Sequence, residues 1–292
     1  MKWFLIANPG AGDGGSATQA LRLVERFGMT MDRVESTTGA GDGLVRARQA
    51  SGFEGIVVVG GDGTVAEVLE GMDRAQQTLA IIPTGHGNCL ARSLGLDSVA
   101  TAVDALRRPR TRVVDLVETV AHLAGGGERR VLSASTLAFG YVSDVVALGR
   151  TRLARLGRYA YAAAALVTQP RWLQARITVD GAPAASGPFT SIIVNNSDYL
   201  ANFRAFPNGR LDDGRLDVMA IGAGWAGQML HNISVLSGRY FYDPARTWQP
   251  VSVRVDLQAA ELLMVDGEFI PGVIALEARC LPAAVRCVGA AP

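Results

Sequence analysis

The first 115 residues repeat one pattern three times: an apolar run, a glycine-rich loop and a helical stretch. The apolar runs are "WFLIA", "GIVVVG" and "TLAIIP", and the helical stretches that follow include "ATQALRLVERFG", "TVAEVLEGM" and "NCLARSLG". Strands that alternate with helices in this way form a parallel sheet covered by helices. This pattern predicts an α/β domain at the start of the chain.

After Arg112 the pattern changes to consecutive strands. Runs such as "RVVDLVETVAHL", "TSIIVNNS", "VSVRVDL" and "ELLMVDGE" are typical of a mostly antiparallel β domain. Two helical stretches, "LARLGRYAYAAAALVTQ" and "WAGQMLHNISVLSGRY", interrupt it. Their apolar residues fit packing against a sheet or the lining of a lipid pocket.

Composition limits the class of protein. The chain has 292 residues, 49% of them apolar and 19% charged, with a formal net charge of +1. These values favour a soluble, globular, two-domain protein and exclude a strongly basic nucleic-acid binder. No apolar stretch reaches the roughly 18 to 20 residues of a membrane span, so we expect a cytoplasmic protein. Three cysteines without metal-ligand spacing predict free thiols.

Glycine-rich loops follow all three early strands: "NPGAG", "GGDGT" and "PTGHGN". Glycines at the carboxyl end of a parallel strand let backbone N–H groups approach an anion, and the following helix adds its positive end. The loops therefore predict phosphate binding at one edge of the sheet, although a bare "GGDGT" also fits a tight turn before a helix. Because Lys2 is the only lysine and no Walker sequence is present, phosphate contacts would come from amides, hydroxyls and arginine.

Together these motifs resemble the diacylglycerol kinase catalytic-domain superfamily, which includes bacterial lipid kinases, sphingosine kinases and ceramide kinases. The resemblance covers nearly the whole chain and also includes "TTGAGD", "VVDL", "LAFGYVSDV", "DDGRLDV" and "VDGE" in order. It implies an N-terminal Rossmann-like three-layer α/β domain over 1–115, joined by 280–292, and a C-terminal antiparallel β-sandwich domain over 116–279. The implied activity is an ATP-dependent lipid kinase that uses Mg²⁺ and phosphorylates a hydroxyl of a diacylglycerol-like or sphingoid lipid.

The resemblance also implies a set of nucleotide contacts in the first domain, with Asp62 near the phosphates and metal. These contacts are Asn8, Pro9, Gly10, Ala11, Gly12, Thr37, Gly60, Gly61, Asp62, Gly63, Thr64, Glu67, His86 and Asn88. Two positions depart from the common form of the motifs. His86 stands where many bacterial relatives have threonine, and it could bind a phosphate or ribose or point to solvent. Ala66 replaces an asparagine, so the nucleotide preference stays open.

In the second domain the resemblance implies a metal loop, a catalytic base and a lipid contact. In "DDGRLDV", Asp213 would supply a carboxylate to Mg²⁺ and Arg210 and Arg215 their backbone carbonyls, unless this is an acidic turn without metal. Glu268 would deprotonate the lipid hydroxyl, with Asp62 as the alternative base. Asp144 would bind the lipid head group, or hold a loop between the domains.

Two other functions stay open. One is an NAD-kinase-like enzyme with a soluble substrate, which shares "GGDGT" but would need an asparagine–glutamate pair that "IIVNNSDY" lacks. The other is a catalytically silent lipid-binding protein of the same fold. For the kinase we expect a lipid substrate presented at a membrane surface, transient peripheral binding to that membrane and no nucleic-acid partner, with a homodimer as a candidate assembly.

Overall fold

The computed structural model describes residues 1–12, 15–26, 30–200, 203–239 and 245–290. The chain divides into two compact units, one of residues 1–116 with 282–292 and one of residues 117–281. The sequence analysis predicted that residues 280–292 join the first domain. Of these, residues 291 and 292 lie outside the described residues.

The first unit contains a parallel sheet of five strands. In chain order its elements are β1 (Trp3–Ala7), α1 (Gly15–Arg26), β2 (Arg33–Ser36), α2 (Asp42–Arg48), β3 (Gly55–Gly60), α3 (Asp62–Gly71), β4 (Thr78–Pro83), α4 (Cys89–Ser93) and α5 (Val99–Arg107), followed by the start of β5 (Arg110–Leu123) and the end of β14 (Glu268–Gly289). The strand order is β2-β1-β3-β4-β14. The chain's last strand enters this sheet through Arg286 and Cys287, which pair with Thr78 and Leu79 of β4.

Burial explains the apolar runs of the first unit. Every residue of β1, β3 and β4 is buried, as expected for parallel strands covered on both faces. In α3 the buried side chains are Thr64, Val65, Val68 and Leu69. The apolar residues Val65, Val68 and Leu69 of this helix therefore belong to the core.

The second unit is antiparallel throughout its described strand pairs. After the end of β5 its elements are β6 (Glu128–Ser133), β7 (Thr136–Gly140), α6 (Tyr141–Arg150), a 3₁₀ helix (Ala154–Tyr159), α7 (Ala160–Val167), β8 (Leu173–Val179), β9 (Ala182–Phe189), β10 (Ser191–Asn195), β11 (Asp217–Ile221), α8 (Trp225–Leu236), β12 (Ala245–Trp248), β13 (Ser252–Val265) and the start of β14. One path runs β12-β11-β10-β7-β13-β14, with β8 and β9 continuing from β13. An α/β domain followed by an antiparallel β domain confirms the predicted fold class.

The sequence analysis predicted none of the elements β2, α2, α6, β9 and β12. Of these, α6 begins directly after β7 at Gly140, whose φ is 76°. The buried residues of α6 include Tyr141, Val145 and Gly149, so a helical spacing of four is present in the sequence. The strand-like run "TLAFG" that precedes it conceals this signal. None of the described helices has the length and apolar character that crossing a bilayer requires.

Candidate functional site

The three glycine loops of the first unit follow β1, β3 and β4, which are neighbours in one parallel sheet. The carboxyl ends of parallel strands lie at the same edge of a sheet, where α/β folds bind their ligands. Asn8 follows β1, Gly61 follows β3 and Thr84 follows β4. The predicted convergence of the three motifs is therefore built into the strand order.

Glycine is required in these loops because their backbones almost touch. Gly12 has a φ of +62°, and a Cβ added there would lie 2.1 Å from the carbonyl oxygen of Thr84. A Cβ on Gly85 would lie 2.6 Å from the Cα of Gly61. A side chain at any of these glycines would separate the loops, so the packing of the loops already requires glycine at these positions.

Asn8 connects the first loop to the second. Its side-chain amide donates to Thr64 Oγ1 over 2.8 Å, and its Oδ1 accepts the backbone N–H of Gly10 over 3.0 Å. The backbone N–H of Asn8 also bonds to the carbonyl of Val59 in β3, over 2.8 Å. Asn8 therefore fixes the geometry of both loops.

Asp62 connects the second loop to the third. Its two carboxylate oxygens accept the backbone N–H groups of Asn88 and Cys89, each over 2.7 Å. These two amides are at the start of α4, where backbone donors have no partner within the helix. The carboxylate expected near ATP phosphates thus has a clear structural contact: it caps α4.

The third loop is closed by Asn88, which adopts a left-handed conformation with a φ of 54°. Its Oδ1 accepts the N–H of Gly85 over 3.0 Å, and its amide donates to the Gly85 carbonyl over 2.7 Å. His86 lies exposed in the same loop.

Glu67, which the resemblance assigned to the nucleotide contacts, forms hydrogen bonds to a segment outside its own motif. Its carboxylate accepts the N–H of Gly41 over 2.7 Å and the N–H of Gly43 over 2.9 Å. It therefore holds the "TTGAGD" segment at the start of α2. Thr37, the first residue of this segment, donates its backbone N–H to the Ala7 carbonyl over 2.8 Å.

Thr84 is a candidate that the sequence analysis missed. Its residue surface is only 5% exposed, and its hydroxyl oxygen has no hydrogen-bond partner among the described residues. A buried hydroxyl without a partner is costly, and it lies in the loop against which Gly12 packs. Its place between a strand and glycines, in "PTGHGN", was the available signal.

The acidic loop of the second unit forms a tight turn. Asp213 Oδ1 accepts the backbone N–H of Arg215 over 3.0 Å, and Gly214 has a φ of 71°. The Arg210 side chain pairs with Asp212 over 3.3 Å. Burial raises the pKa of Asp217 above its usual range, Gln249 opposes this by donating to it over 2.8 Å, and the negative charge of Asp213 raises it further.

This loop suits a hard cation that keeps part of its water shell. Asp213 has a second carboxylate oxygen, and Mg²⁺ commonly binds one or two carboxylates and several waters. The negative charge of Asp213 acts on Asp217 and raises its pKa, and a bound cation would offset this repulsion. Within the described residues, however, no three histidine, cysteine, aspartate or glutamate side chains cluster as metal ligands. A metal here would thus bind the Asp213 carboxylate and complete its coordination with carbonyl oxygens and water.

Glu268 lies on the surface of the second unit and pairs with Arg150. Its side chain is 66% exposed, and its Oε1 is 3.0 Å from Arg150 Nη2. Arg150 Nη1 also donates to the carbonyl of Gly267, and its guanidinium lies 6.0 Å from the centre of the Phe269 ring. Arg150 therefore contacts all three residues from Gly267 to Phe269 and orients the Glu268 carboxylate.

Asp266, two residues earlier, anchors the same turn from inside. Its carboxylate accepts the backbone N–H groups of Ala134 and Thr136 over 2.8 Å and of Ser135 over 3.1 Å. Burial raises its pKa, while these hydrogen bonds lower it. The sequence analysis gave Asp266 of "VDGE" no role, but this residue fixes the turn that presents Glu268.

Asp144 is already engaged by an arginine. Arg171 Nε lies 2.9 Å from Asp144 Oδ2, and its Nη1 lies 2.5 Å from Oε2 of Glu261, which is only 9% exposed. Burial works against it, but hydrogen bonds with both carboxylates raise the pKa of Arg171 above its usual range. A lipid amine at Asp144 would therefore have to compete with Arg171.

The predicted site residues divide between the two units. All the nucleotide contacts belong to the first unit, and Asp144, Arg210, Asp213, Arg215 and Glu268 belong to the second. The hydrogen bonds described above join the nucleotide motifs to one another. The functional roles of these residues stay predictions.

Two family models match the chain. The model of the diacylglycerol kinase catalytic domain matches residues 2–119, and that of the YegS C-terminal NAD kinase beta sandwich-like domain matches residues 136–289. The second match alone covers more than half of the chain.

Relatives agree with these matches. A diacylglycerol kinase of Bacillus subtilis is 26% identical over 270 residues, which is 87% of this chain and 85% of that protein. A probable YegS-like lipid kinase of Pseudomonas aeruginosa is 31% identical over 194 residues, 64% of this chain and 60% of that protein. The crystal structure of a diacylglycerol kinase from Bacillus anthracis superposes with a TM-score of 0.78, at 24% identity, over 99% of this chain and 96% of that chain. At this identity the structural match shows the fold.

Proposed function

Because this chain belongs to the diacylglycerol kinase catalytic-domain superfamily, a superfamily of lipid kinases, we propose that it is an ATP-dependent lipid kinase. The acceptor we propose is a hydroxyl of a diacylglycerol-like lipid, with a sphingoid lipid as the second candidate. The observation that carries the proposal is the interlocked set of glycine loops at one sheet edge, joined by Asn8 and Asp62. Such an edge suits a nucleotide triphosphate.

Residues of the first unit bind and orient the nucleotide in this proposal. Backbone N–H groups at the start of α3 face the phosphates, and the helix adds its positive end. Asn8 and Asp62 hold the loops in place, so little ordering remains to be done when the nucleotide binds. The Thr84 hydroxyl, which lacks a protein partner among the described residues, is a further donor for a phosphate oxygen.

Residues of the second unit act on the lipid hydroxyl in this proposal. Glu268 accepts the proton of the lipid hydroxyl, and Arg150 positions its carboxylate for this step. When bound, ATP supplies the phosphoryl group and Mg²⁺ screens the phosphate charge. The residues that would hold Mg²⁺ in this unit are Asp213 and the carbonyls of Arg210 and Arg215.

A diacylglycerol-like acceptor is favoured over a sphingoid one by the contacts of Asp144. Its carboxylate already has a cationic partner in Arg171. A neutral hydroxyl lipid leaves this ion pair intact, whereas an ammonium group would have to displace a guanidinium that also binds Glu261. The displacement would break charge-assisted hydrogen bonds, which are the strong ones.

The test is a phosphorylation assay on the purified full chain. The protein is incubated with ATP, Mg²⁺ and a mixed lipid extract, and phosphorylated species are identified by mass spectrometry, with NAD offered in a parallel reaction. A new phosphatidic acid is the expected product. Phosphorylated NAD would establish the soluble-substrate enzyme, and binding of lipid without any ATP turnover would establish a catalytically silent protein.

A further inference from the structure

Helix α7 and its flanking residues carry large apolar side chains on the outside of the molecule. Leu166 is 66% exposed, Val167 62% and Trp172 53%, and Tyr159 in the preceding 3₁₀ helix is 59% exposed. The sequence of α7, "AYAAAALV", contains no charged residue at all. A surface helix of a globular domain normally turns polar residues outward, so this outward side is suited to contact with something apolar.

Helix α8 shows the same departure. Leu230 is 46% exposed and Ile233 54%, and Trp225 at the start of the helix is 48% exposed. Gln228 and Ser234, by contrast, are buried. The helix therefore has exposed large apolar side chains as well as buried polar ones.

Helices α7 and α8 belong to one layer, because both bind the same tyrosine of α6. The Tyr141 hydroxyl donates to the Ala165 carbonyl of α7 over 2.5 Å and accepts the side-chain amide of Asn232 of α8 over 3.0 Å. Met229 packs against the cluster that contains Ala164. We call the exposed apolar residues of this layer the helical face. Its members are Leu156, Tyr159, Leu166, Val167, Trp172, Trp225, Leu230 and Ile233.

Positive charge is concentrated beside this face. Between Asp144 and Asp180 the chain has six arginines and no acidic residue, although the whole chain has a formal net charge of only +1. Two of the six, Arg150 and Arg171, pair with acidic residues at or outside the ends of this segment. Arg152 and Arg155, in the segment between α6 and α7, are exposed. The low overall charge thus conceals a locally basic, apolar region.

Charge decides between two occupants of the helical face. A symmetric contact between two copies of the chain would bring the same arginines towards each other, which like charges oppose. An anionic bilayer complements the arginines, and its interface is where exposed Trp and Tyr side chains are favoured. Exposed leucine and isoleucine would enter the boundary between head groups and acyl chains.

We propose that the helical face, with Arg152 and Arg155, is the surface through which this protein docks onto an anionic lipid bilayer. The proposal rests on the proposed function in one respect, namely that the acceptor lipid resides in that bilayer. Docking brings the second unit, which carries Asp144 and Glu268, to the membrane without any membrane-spanning segment.

The test measures binding to vesicles, separately from catalysis. Full-length protein is sedimented with vesicles of phosphatidylcholine alone or with added phosphatidylglycerol, and we expect strong binding only to the anionic vesicles, weakened by salt. The double variant Arg152→Gln/Arg155→Gln should lose about fivefold in affinity for each arginine. Leu166→Ser should bind roughly tenfold more weakly because less apolar surface is buried.

Matched controls lie elsewhere on the second unit. Val251→Ser removes an apolar side chain that is 44% exposed, and Arg129→Gln removes an exposed arginine of β6; both should bind vesicles as the unmodified protein does. Equal binding by the helical-face variants and the controls would overturn the proposal. Concentration-dependent dimerisation that Leu166→Ser abolishes, without any vesicle binding, would assign the face to a second copy of the chain.

Catalysis provides an independent readout. On a short-chain diacylglycerol that is dispersed as monomers, the helical-face variants should turn over at the rate of the unmodified protein, and on vesicles they should be slower. If no lipid is phosphorylated but anionic vesicles still bind through this face, the proposed function fails and the docking surface stands. If lipid is phosphorylated equally well on vesicles by all variants, the docking surface fails and the function stands.

Discussion

The carboxylate of Asp62 accepts the backbone N–H of Asn88 over 2.7 Å, which fastens the second glycine loop to the third. A second bond of the same length, from the N–H of Cys89, uses the other carboxylate oxygen. A residue expected to act near phosphates therefore also maintains the shape of the proposed phosphate site. Loss of this side chain affects both tasks, which makes its replacement informative.

Replacing Asp62 by asparagine should abolish turnover and weaken the fold measurably. An asparagine has one acceptor oxygen, so one of the two amides at the start of α4 loses its partner and its side-chain N–H₂ faces a donor. We expect the free energy of unfolding to fall by about 1–3 kcal/mol, with the chain still folded. Urea denaturation and initial rates with ATP would measure the two effects. A folded variant with most of its turnover would show that Asp62 has no role in catalysis.

The contact between the first and third loops gives a second prediction, for Gly12→Ala. The new Cβ would lie 2.1 Å from the Thr84 carbonyl oxygen, at a φ of +62°. Gly52→Ala is the matched control, because Gly52 also has a positive φ, +85°, but nothing within 4 Å. The control should cost about 1–2 kcal/mol of stability from backbone strain. Gly12→Ala should cost about 1–3 kcal/mol more and raise KM for ATP; equal effects in the two variants would exclude the loop contact.

Much of this site could be read from the sequence, because glycine spacing and strand alternation are local signals. The three loops and the antiparallel second domain were predicted from them. The connections between loops were not, since Asp62 and Asn88 are 26 residues apart and Glu67 and Gly41 likewise. Which backbone amide a carboxylate binds depends on how distant segments pack, and no local pattern records this.

The partners of Glu268 and Asp144 could not be predicted from the sequence for the same reason. Arg150 is 118 residues from Glu268 and comes from α6, a helix that the sequence analysis missed. Arg171 meets Asp144 only because β8 begins beside the first turn of α6. Both acidic residues were considered as single charges, whereas each has an arginine partner in the structure.

A third prediction concerns Glu268 and Arg150. Glu268→Gln keeps the size and a hydrogen bond to Arg150 but cannot accept a proton, so kcat should fall roughly 10²-fold or more while KM for ATP changes little. Arg150→Met should lower kcat by less than Glu268→Gln does. The kcat of Arg150→Lys should lie between those of Arg150→Met and the unmodified protein. An unchanged kcat in Glu268→Gln would remove the base role from this residue. Equal kcat in Arg150→Met and Arg150→Lys would show that the ion pair has no positioning role.

The ion pair of Asp144 predicts lipid preference. Removing its cation should let an ammonium lipid bind, so the ratio of turnover on sphingosine to turnover on diacylglycerol should rise roughly tenfold. Because Arg171→Ala alone would leave the buried Glu261 unpaired, the double variant Arg171→Ala/Glu261→Gln is the better test. Glu261→Gln alone serves as its control. A constant ratio in the folded double variant would show that Asp144 does not face the lipid head group.

Thiol chemistry gives a prediction that is independent of catalysis. Cys89, Cys280 and Cys287 are all buried thiols, and burial raises the pKa of Cys287 to about 12. Because all three sulfurs are shielded by burial and the Cys287 thiol stays protonated at mildly alkaline pH, the native protein should resist alkylation by iodoacetamide, whereas urea-unfolded protein should take up three groups. Mass spectrometry counts the groups. Rapid labelling of native protein would contradict the burial of these cysteines.

The central claim is that this chain moves the terminal phosphoryl group of ATP onto a lipid hydroxyl. The most direct measurement follows ATP whose terminal phosphoryl group is labelled with heavy oxygen, incubated with the protein, Mg²⁺ and diacylglycerol, and determines by mass spectrometry where the label goes. We predict labelled phosphatidic acid with the unmodified protein and, within the same time, roughly 10²-fold less with Glu268→Gln. Label found only in inorganic phosphate, or none transferred by a folded protein that binds ATP, would contradict the account.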